Sequence, residues 1–167
     1  MTRTSAAMGS ALFFVAAPCV LAGVIPWWLT RWEIRPPFFG LEAFRPIGIV
    51  LILAGLPALI DSFARFVLDG LGTPAPVAPT RKLVVTGLYR YVRNPMYAAL
   101  LAIIFGQALL FGDRRLAVLG ALAWAASHIF VTGFEEPGLA RKYGAQYAAY
   151  RANVPRWIPR LTPWRPA

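Results

Sequence analysis

Carboxylates are scarce in this chain: 7 Asp and Glu stand against 17 Lys and Arg in 167 residues, a net charge of +10. Charged residues of both signs make up only 14%, where a soluble domain carries roughly a quarter. Hydrophobic residues make up 58%, and the mean hydropathy is +0.56. Together these exclude an ordinary cytosolic enzyme, a disordered tail and a nucleic-acid-binding module. The single cysteine, Cys19, excludes an intramolecular disulfide and any multi-cysteine zinc or iron–sulfur site. The single histidine, His128, leaves no ligand set for a histidine-based metal centre, so no metal is expected. What is present is a basic, apolar chain. That is the composition of a small polytopic membrane protein whose cationic loops stay on the cytoplasmic side, near anionic lipid.

The charges divide the apolar residues into stretches. None falls from Thr4 to Thr30, which predicts a first span over about residues 6–29. No small-x-small cleavage site precedes Trp27-Trp28, so this reads as an uncleaved helix with Trp27, Trp28 and Trp32 in an interfacial belt. A second span, about 46–68, is apolar except for Asp61 and Arg65. Their spacing of four puts them on one helix face, as an ion pair at the membrane surface or as the wall of a polar cavity. The spans at 95–112 and 116–134 are uncharged, and only Asp113-Arg114-Arg115 separates them, which forces an antiparallel hairpin. The expected fold is an all-α integral membrane protein, a single domain over 1–167 with four transmembrane helices. Arg3, Arg65, Arg81, Lys82, Arg90, Arg93 and the basic residues from Arg141 to Arg165 then share one side; Arg31, Arg35, Arg45, Arg114 and Arg115 share the other. The larger group marks the cytoplasmic face, with both termini there, as in a bacterial inner membrane.

Two segments on that face, 70–97 and 135–160, hold most of the unusual residues. Three closely spaced prolines, Pro74, Pro76 and Pro79, favour an extended path, either a stiff connector or one wall of a lid. Arg90 and Arg93 share a face of a short helix at the membrane surface, by default a lipid-phosphate anchor. Glu135-Glu136-Pro137 reads as a helix start, which accounts for one glutamate better than for two. Beyond it, Leu139, Tyr143, Tyr147 and Tyr150 form one stripe of an amphipathic interfacial helix. Gly144 within it offers room for close backbone approach, and residues 154–160 end the helix and lie along the surface. His128, two turns before Glu135, is either a helix-packing histidine or faces the site from below. Gly106 suits close helix packing.

Two motifs recur in order across the apolar hairpin: Gly87-x-Tyr89-Arg90-x-x-Arg93-Asn94-Pro95-x-Tyr97, and Glu135-Glu136-x-x-Leu139-x-x-x-Tyr143-Gly144-x-x-Tyr147-x-x-Tyr150-x-x-x-Val154-Pro155. Over roughly the C-terminal 95 residues the chain resembles the isoprenylcysteine carboxyl methyltransferases and, more distantly, the membrane phospholipid N-methyltransferases. The resemblance implies a membrane enzyme that uses S-adenosylmethionine, yields S-adenosylhomocysteine, and draws a hydrophobic or lipid-like acceptor from the bilayer. It implies that Arg93 and Asn94 sit at the acceptor, with Asn94 replacing the histidine usual in the isoprenylcysteine enzymes. That replacement puts a carboxyl acceptor in doubt. It also implies that Tyr89, Arg90, Pro95, Tyr97, Glu135, Glu136, Leu139, Tyr143, Tyr147 and Tyr150 surround the cofactor. Gly106 and His128 are further candidates, since the phospholipid enzymes use a glycine-rich stretch of the third span. The alternatives are a phospholipid amine or a small thiol as acceptor, or a non-catalytic lipid-binding protein that keeps the fold.

Overall fold

The computed structural model describes residues 15–65, 68 and 82–165, and among them it is helical without a β-strand. The proline loop at 74–79 and the opening of the first expected span lie outside the described residues. A π-helical stretch, Val15–Val24, runs into a short α-helix, Ile25–Thr30 (α1). An irregular segment with a 3₁₀ turn at Phe38–Gly40 leads to α2, Phe44–Arg65. A second 3₁₀ turn, Gly87–Arg90, precedes α3, Pro95–Phe111. Helix α4, Arg114–Phe130, continues through a π-helical turn, Val131–Glu135, into α5, Glu136–Asn153.

Among the described residues, two helical stretches have the length and apolar composition to cross a membrane: α2, with a mean hydropathy of 2.2, and the continuous helix from Arg114 to Asn153, at 1.6. Their apolar windows are only 28% and 17% buried within the protein, so most of this surface faces outward, unlike the core helix of a soluble domain. Ile49, Val50, Leu53 and Ile60 on α2 and Val118, Leu122, Ile129 and Phe134 on the long helix are all exposed. The other two expected spans correspond to shorter apolar helices, Pro18–Thr30 and Pro95–Phe111.

The expected hairpin is formed by α3 and α4. Gly112 ends α3 in the left-handed region, at φ 67°, where a Cβ would run into the Pro36 carbonyl. Asp113 then caps α4, accepting from the Arg115 backbone N–H at 2.9 Å. The Arg115 side-chain hydrogen bond holds the Asp113 carboxyl below its ordinary range despite burial. Helix α2 lies against α3 along a seam of small residues. A Cβ on Gly48 would meet the Gly106 carbonyl oxygen at 2.5 Å, and one on Gly55 would meet the Ala99 carbonyl oxygen at 2.9 Å. These pairs repeat at seven-residue spacing on both helices, so two backbones approach closely where lipid-like interiors offer little other driving force. Leu59, Phe63, Ala99 and Ile103 fill the seam beyond.

Two hydrogen bonds of one side chain fasten the N-terminal helical segment to this pair. Pro26 has no N–H for the carbonyl four residues back, that of Ala22. Gln107 of α3 donates to that carbonyl at 2.7 Å, while its own side-chain oxygen accepts from Trp32 Nε1 at 3.1 Å.

Candidate functional site

The site lies where the Pro95 end of α3 meets the junction of α4 and α5. The expected break before Glu135 does not occur. Glu135 and Glu136 both have helical dihedrals, and the Glu136 N–H bonds to the Val131 carbonyl across the π turn. The pair is therefore not a helix N-terminus, and its partners are side chains. The wider turn occupies the positions before Pro137, whose ring obstructs regular helical bonding.

Glu136 is buried and takes two arginines. Arg93 Nη1 donates to its Oε1 at 2.9 Å; Arg156 Nε donates to the same oxygen at 2.6 Å and Arg156 Nη2 to Oε2 at 3.0 Å. Arg93 Nη1 also lies 3.3 Å from the Tyr147 hydroxyl. Burial by itself would raise the Glu136 carboxyl, but the Arg156 hydrogen bond and the charges of Arg93 and Arg156 outweigh it and hold the group below its usual range. Glu135 differs. Its Oε2 accepts from the Tyr97 hydroxyl at 3.2 Å, and no arginine reaches it among the described residues. Burial, joined by the negative charge of Glu136, pushes its carboxyl up, with the Tyr97 hydrogen bond opposing. Two neighbouring carboxylates are thus driven apart, one held ionised and one made basic, the pattern of groups set for different chemical tasks. Arg93 Nε is the only buried side-chain nitrogen or oxygen among the described residues without a hydrogen-bond partner.

The chain after α5 completes the site. Residues 154–165 turn back across the segment before α3. Arg93 N donates to Pro155 O, Arg160 N to Tyr91 O and Trp164 N to Arg90 O, each at 2.9 Å. Asn94 Nδ2 donates to Arg156 O at 3.1 Å, and Tyr150 Oη donates to Tyr89 O at 2.7 Å. These residues leave a cavity of about 30 Å³ bordered by Arg93, Asn94, Glu135, Glu136, Leu139 and Tyr147.

Arg93, Asn94, Tyr97, Glu135, Glu136, Leu139, Tyr147 and Tyr150 are therefore brought together. Tyr89 joins through its carbonyl, Pro95 is buried at the first turn of α3, and Tyr143 packs against the Tyr147–Tyr150 cluster. Of the remaining expectations, the shared Arg90–Arg93 face, the lipid-facing stripe and the close approach at Gly144 need correction, whereas Gly106, His128 and the Asp61–Arg65 pair take the packing and ion-pair roles that the sequence allowed. Arg90 and Arg93 do not share a helical face, because the 3₁₀ turn stops at Arg90; Arg90 Nε bonds to the Trp164 carbonyl at 2.8 Å, away from the glutamates. Gly106 packs against Gly48, eleven residues along α3 from Pro95, or about 16 Å at 1.5 Å per residue. His128 accepts from Trp157 Nε1 at 3.2 Å and stacks on Trp124, outside the residues around the cavity. The aromatic stripe of α5 is not turned toward lipid: Leu83, Val85, Val154 and Trp164 cover it. Gly144 makes no close approach. It kinks α5 at φ 49° and ψ −124°, a conformation that a Cβ would strain. Asp61 and Arg65 form the ion pair, at 3.0 Å, packed against Gly87. Arg156 is the residue that sequence reasoning missed. The only local signal was an arginine beside tryptophan in a proline-flanked run, and nothing periodic marks a chain that folds back.

A stretch of 66 residues is 38% identical to phosphatidylethanolamine N-methyltransferase 1 of the yeast Vanderwaltozyma polyspora, covering 39% of this chain and 8% of that much longer protein. Residues 44–146, from the start of α2 into α5, match the family described as phospholipid methyltransferase. That match takes in most of the chain, both helices of the hairpin, Arg93 and the glutamate pair. The chain belongs to the phospholipid methyltransferase family.

Proposed function

We propose that this protein transfers a methyl group from S-adenosylmethionine to the amine headgroup of a membrane phospholipid. The observation that carries the reading is the divided glutamate pair: Glu136 tied to Arg93 and Arg156, Glu135 raised and free of arginine among the described residues. The donor set fits the charged end of the cofactor by its chemistry. Arg93 Nε, buried and without a partner, suits a carboxylate. Glu136 suits an ammonium or sulfonium, with the Tyr147 ring beside it for cation–π contact of roughly 0.5–2 kcal/mol. The cofactor supplies an electrophilic methyl group on sulfur. The chain's own residues then have to align the acceptor nitrogen in line with it and keep water away, so orientation carries much of the rate. An ammonium headgroup must also lose a proton before nitrogen can attack. Glu135 is the base, because burial makes its carboxylate a better proton acceptor than an exposed one. An isoprenylcysteine carboxylate or a thiolate would leave Glu135 without a task, and this favours the amine.

In the membrane arrangement that goes with this reading, four helices cross, and the positive excess supports a site at the cytoplasmic face. The test is purified protein in nanodiscs with labelled S-adenosylmethionine. Label is expected in phosphatidylethanolamine, and not in a farnesylcysteine analogue or a small thiol. Labelling of the farnesylcysteine carboxyl group alone would replace the acceptor, and no S-adenosylhomocysteine binding by calorimetry would remove the enzyme reading.

Tyr97→Phe tests the base. Tyr97 donates the hydrogen bond that lowers the Glu135 carboxyl. Its loss favours the protonated form, so the acid limb of kcat/KM is expected to move to higher pH, by about half a unit to one unit. A shift toward lower pH, or none, would rule out Glu135 as the group that titrates.

A further inference from the structure

The far end of the hairpin holds cations that the methyl-transfer site does not use. On the sequence reading, Arg31, Arg35, Arg45, Arg114 and Arg115 share the face that should be poor in positive charge. Two have local work. Arg31 lies over the Trp27 ring at 4.1 Å, and Arg45 pairs with Glu42 at 2.6 Å while donating to the Leu110 and Arg35 carbonyls. The other three border an open cleft of about 430 Å³ formed by residues 35–38 and 112–115. This lies within the size range of ligand pockets.

Among the described residues, Asp113 is the only carboxylate bordering the cleft, and both neighbouring arginines already draw on it. Arg115 Nη2 is 2.7 Å and Arg35 Nε 3.1 Å from the same oxygen, Oδ2, and the carboxyl is almost fully buried. Arg35 also reaches the exposed Glu33, at 4.0 Å. Arg114 borders the cleft with no charge partner among the described residues. The walls are held in shape: Arg35 N donates to the Phe111 carbonyl at 2.9 Å, and Gly112 has no room for a side chain beside the Pro36 carbonyl. Three arginines and one buried carboxylate leave an excess of positive charge facing an open volume, which calls for an anion. Exposed apolar side chains on the same segment, Ile34 at 73% and Phe39 at 86%, suit an anion that carries hydrocarbon. The geometry points to a binding site for the phosphate of an anionic phospholipid headgroup in this cleft, with Arg35, Arg114 and Arg115 as its ligands. The cleft sits at the opposite end of α3 and α4 from Glu136, roughly 33 Å away by the rise of the continuous helix from Arg114 to Glu136. It is therefore separate from the acceptor of the methyl-transfer site and independent of that reading.

The experiment is native mass spectrometry of delipidated full chain titrated with dioleoyl phosphatidylglycerol, dioleoyl phosphatidylcholine or inorganic phosphate. Phosphatidylglycerol is expected to bind in preference to the other two. Its affinity should fall about tenfold in Arg114→Gln and further in Arg35→Gln/Arg114→Gln. Arg114 has no charge partner among the described residues to lose, so its single variant should keep the wild-type thermal midpoint. Unchanged phosphatidylglycerol binding in both variants would overturn the site. Equal competition by inorganic phosphate or phosphatidylcholine would overturn its assignment to an anionic lipid.

Discussion

Replacing Glu136 with glutamine is expected to lower S-adenosylhomocysteine affinity about 100-fold, roughly 3 kcal/mol, as the charge-assisted contact to the ligand is lost. The same change leaves Arg93 and Arg156 without their common counter-ion. The Arg93 side chain is 9% exposed and that of Glu136 8%, so this is a buried pair, and breaking one typically costs about 3–5 kcal/mol. A fall in binding could then reflect a loosened fold. Glu136→Gln/Arg156→Gln separates the two effects. Removing one of the stranded cations should restore part of the thermal midpoint, and binding should stay weak. Wild-type affinity in a folded Glu136→Gln variant would remove Glu136 from the cofactor site. The pair also sets a pH dependence of stability. The Glu136 carboxyl is lowered in the fold, so its contribution is complete above its unfolded pKa of about 4.3 and disappears as pH falls through the folded value. A thermal-midpoint profile should show this acid loss in the wild type, and less of it in Glu136→Gln.

Gly48→Val is expected to prevent folding or destabilise the chain by about 3 kcal/mol or more. The added Cβ would stand 2.5 Å from the Gly106 carbonyl oxygen and 2.7 Å from the Leu110 backbone nitrogen. Both are backbone atoms in a helix, so neither can swing aside as a side-chain tip would, and α2 would have to leave α3. Gly133→Ala is the control. A Cβ there meets nothing within 4 Å, and alanine favours helix over glycine by about 1 kcal/mol. Yield of monodisperse protein in detergent and its thermal midpoint should therefore drop sharply for Gly48→Val and hold or rise for Gly133→Ala. A folded Gly48→Val protein with an unchanged midpoint would show that the seam tolerates separation.

Much of the site was legible in the chain as written. The hairpin followed from two uncharged stretches divided by Asp113-Arg114-Arg115, because charges resist burial in apolar surroundings whatever the rest of the fold does. The tyrosine stripe followed from helical period, and the glutamate pair stood out because so few carboxylates exist to place. Each of these signals is local. What the tyrosines face is not: the same period suits a helix lying on a bilayer and one whose stripe is covered by Val85, Val154 and Trp164. Arg90 and Arg93 look equivalent by spacing, yet the 3₁₀ turn ends between them and sends them to different partners.

The sequence by itself determined the apolar helices, the tight turn of the hairpin and the residue types available for methyl-transfer chemistry, since these depend on composition and on neighbours within a few positions. Only the tertiary structure decided which charges meet. Arg156 reaches Glu136 across twenty positions because backbone hydrogen bonds from Arg93, Arg160 and Trp164 fold the tail back. Gln107 meets Ala22 because Pro26 leaves that carbonyl open when the π-helical stretch Val15–Val24 lies on α3. Hydrogen bonds between distant segments form only once packing has brought their backbones together, and such pairings leave no periodic mark on the sequence. The scarcity of carboxylates is what the structure makes most use of: Glu136 and Asp113, at opposite ends of one hairpin, each hold two arginines in place.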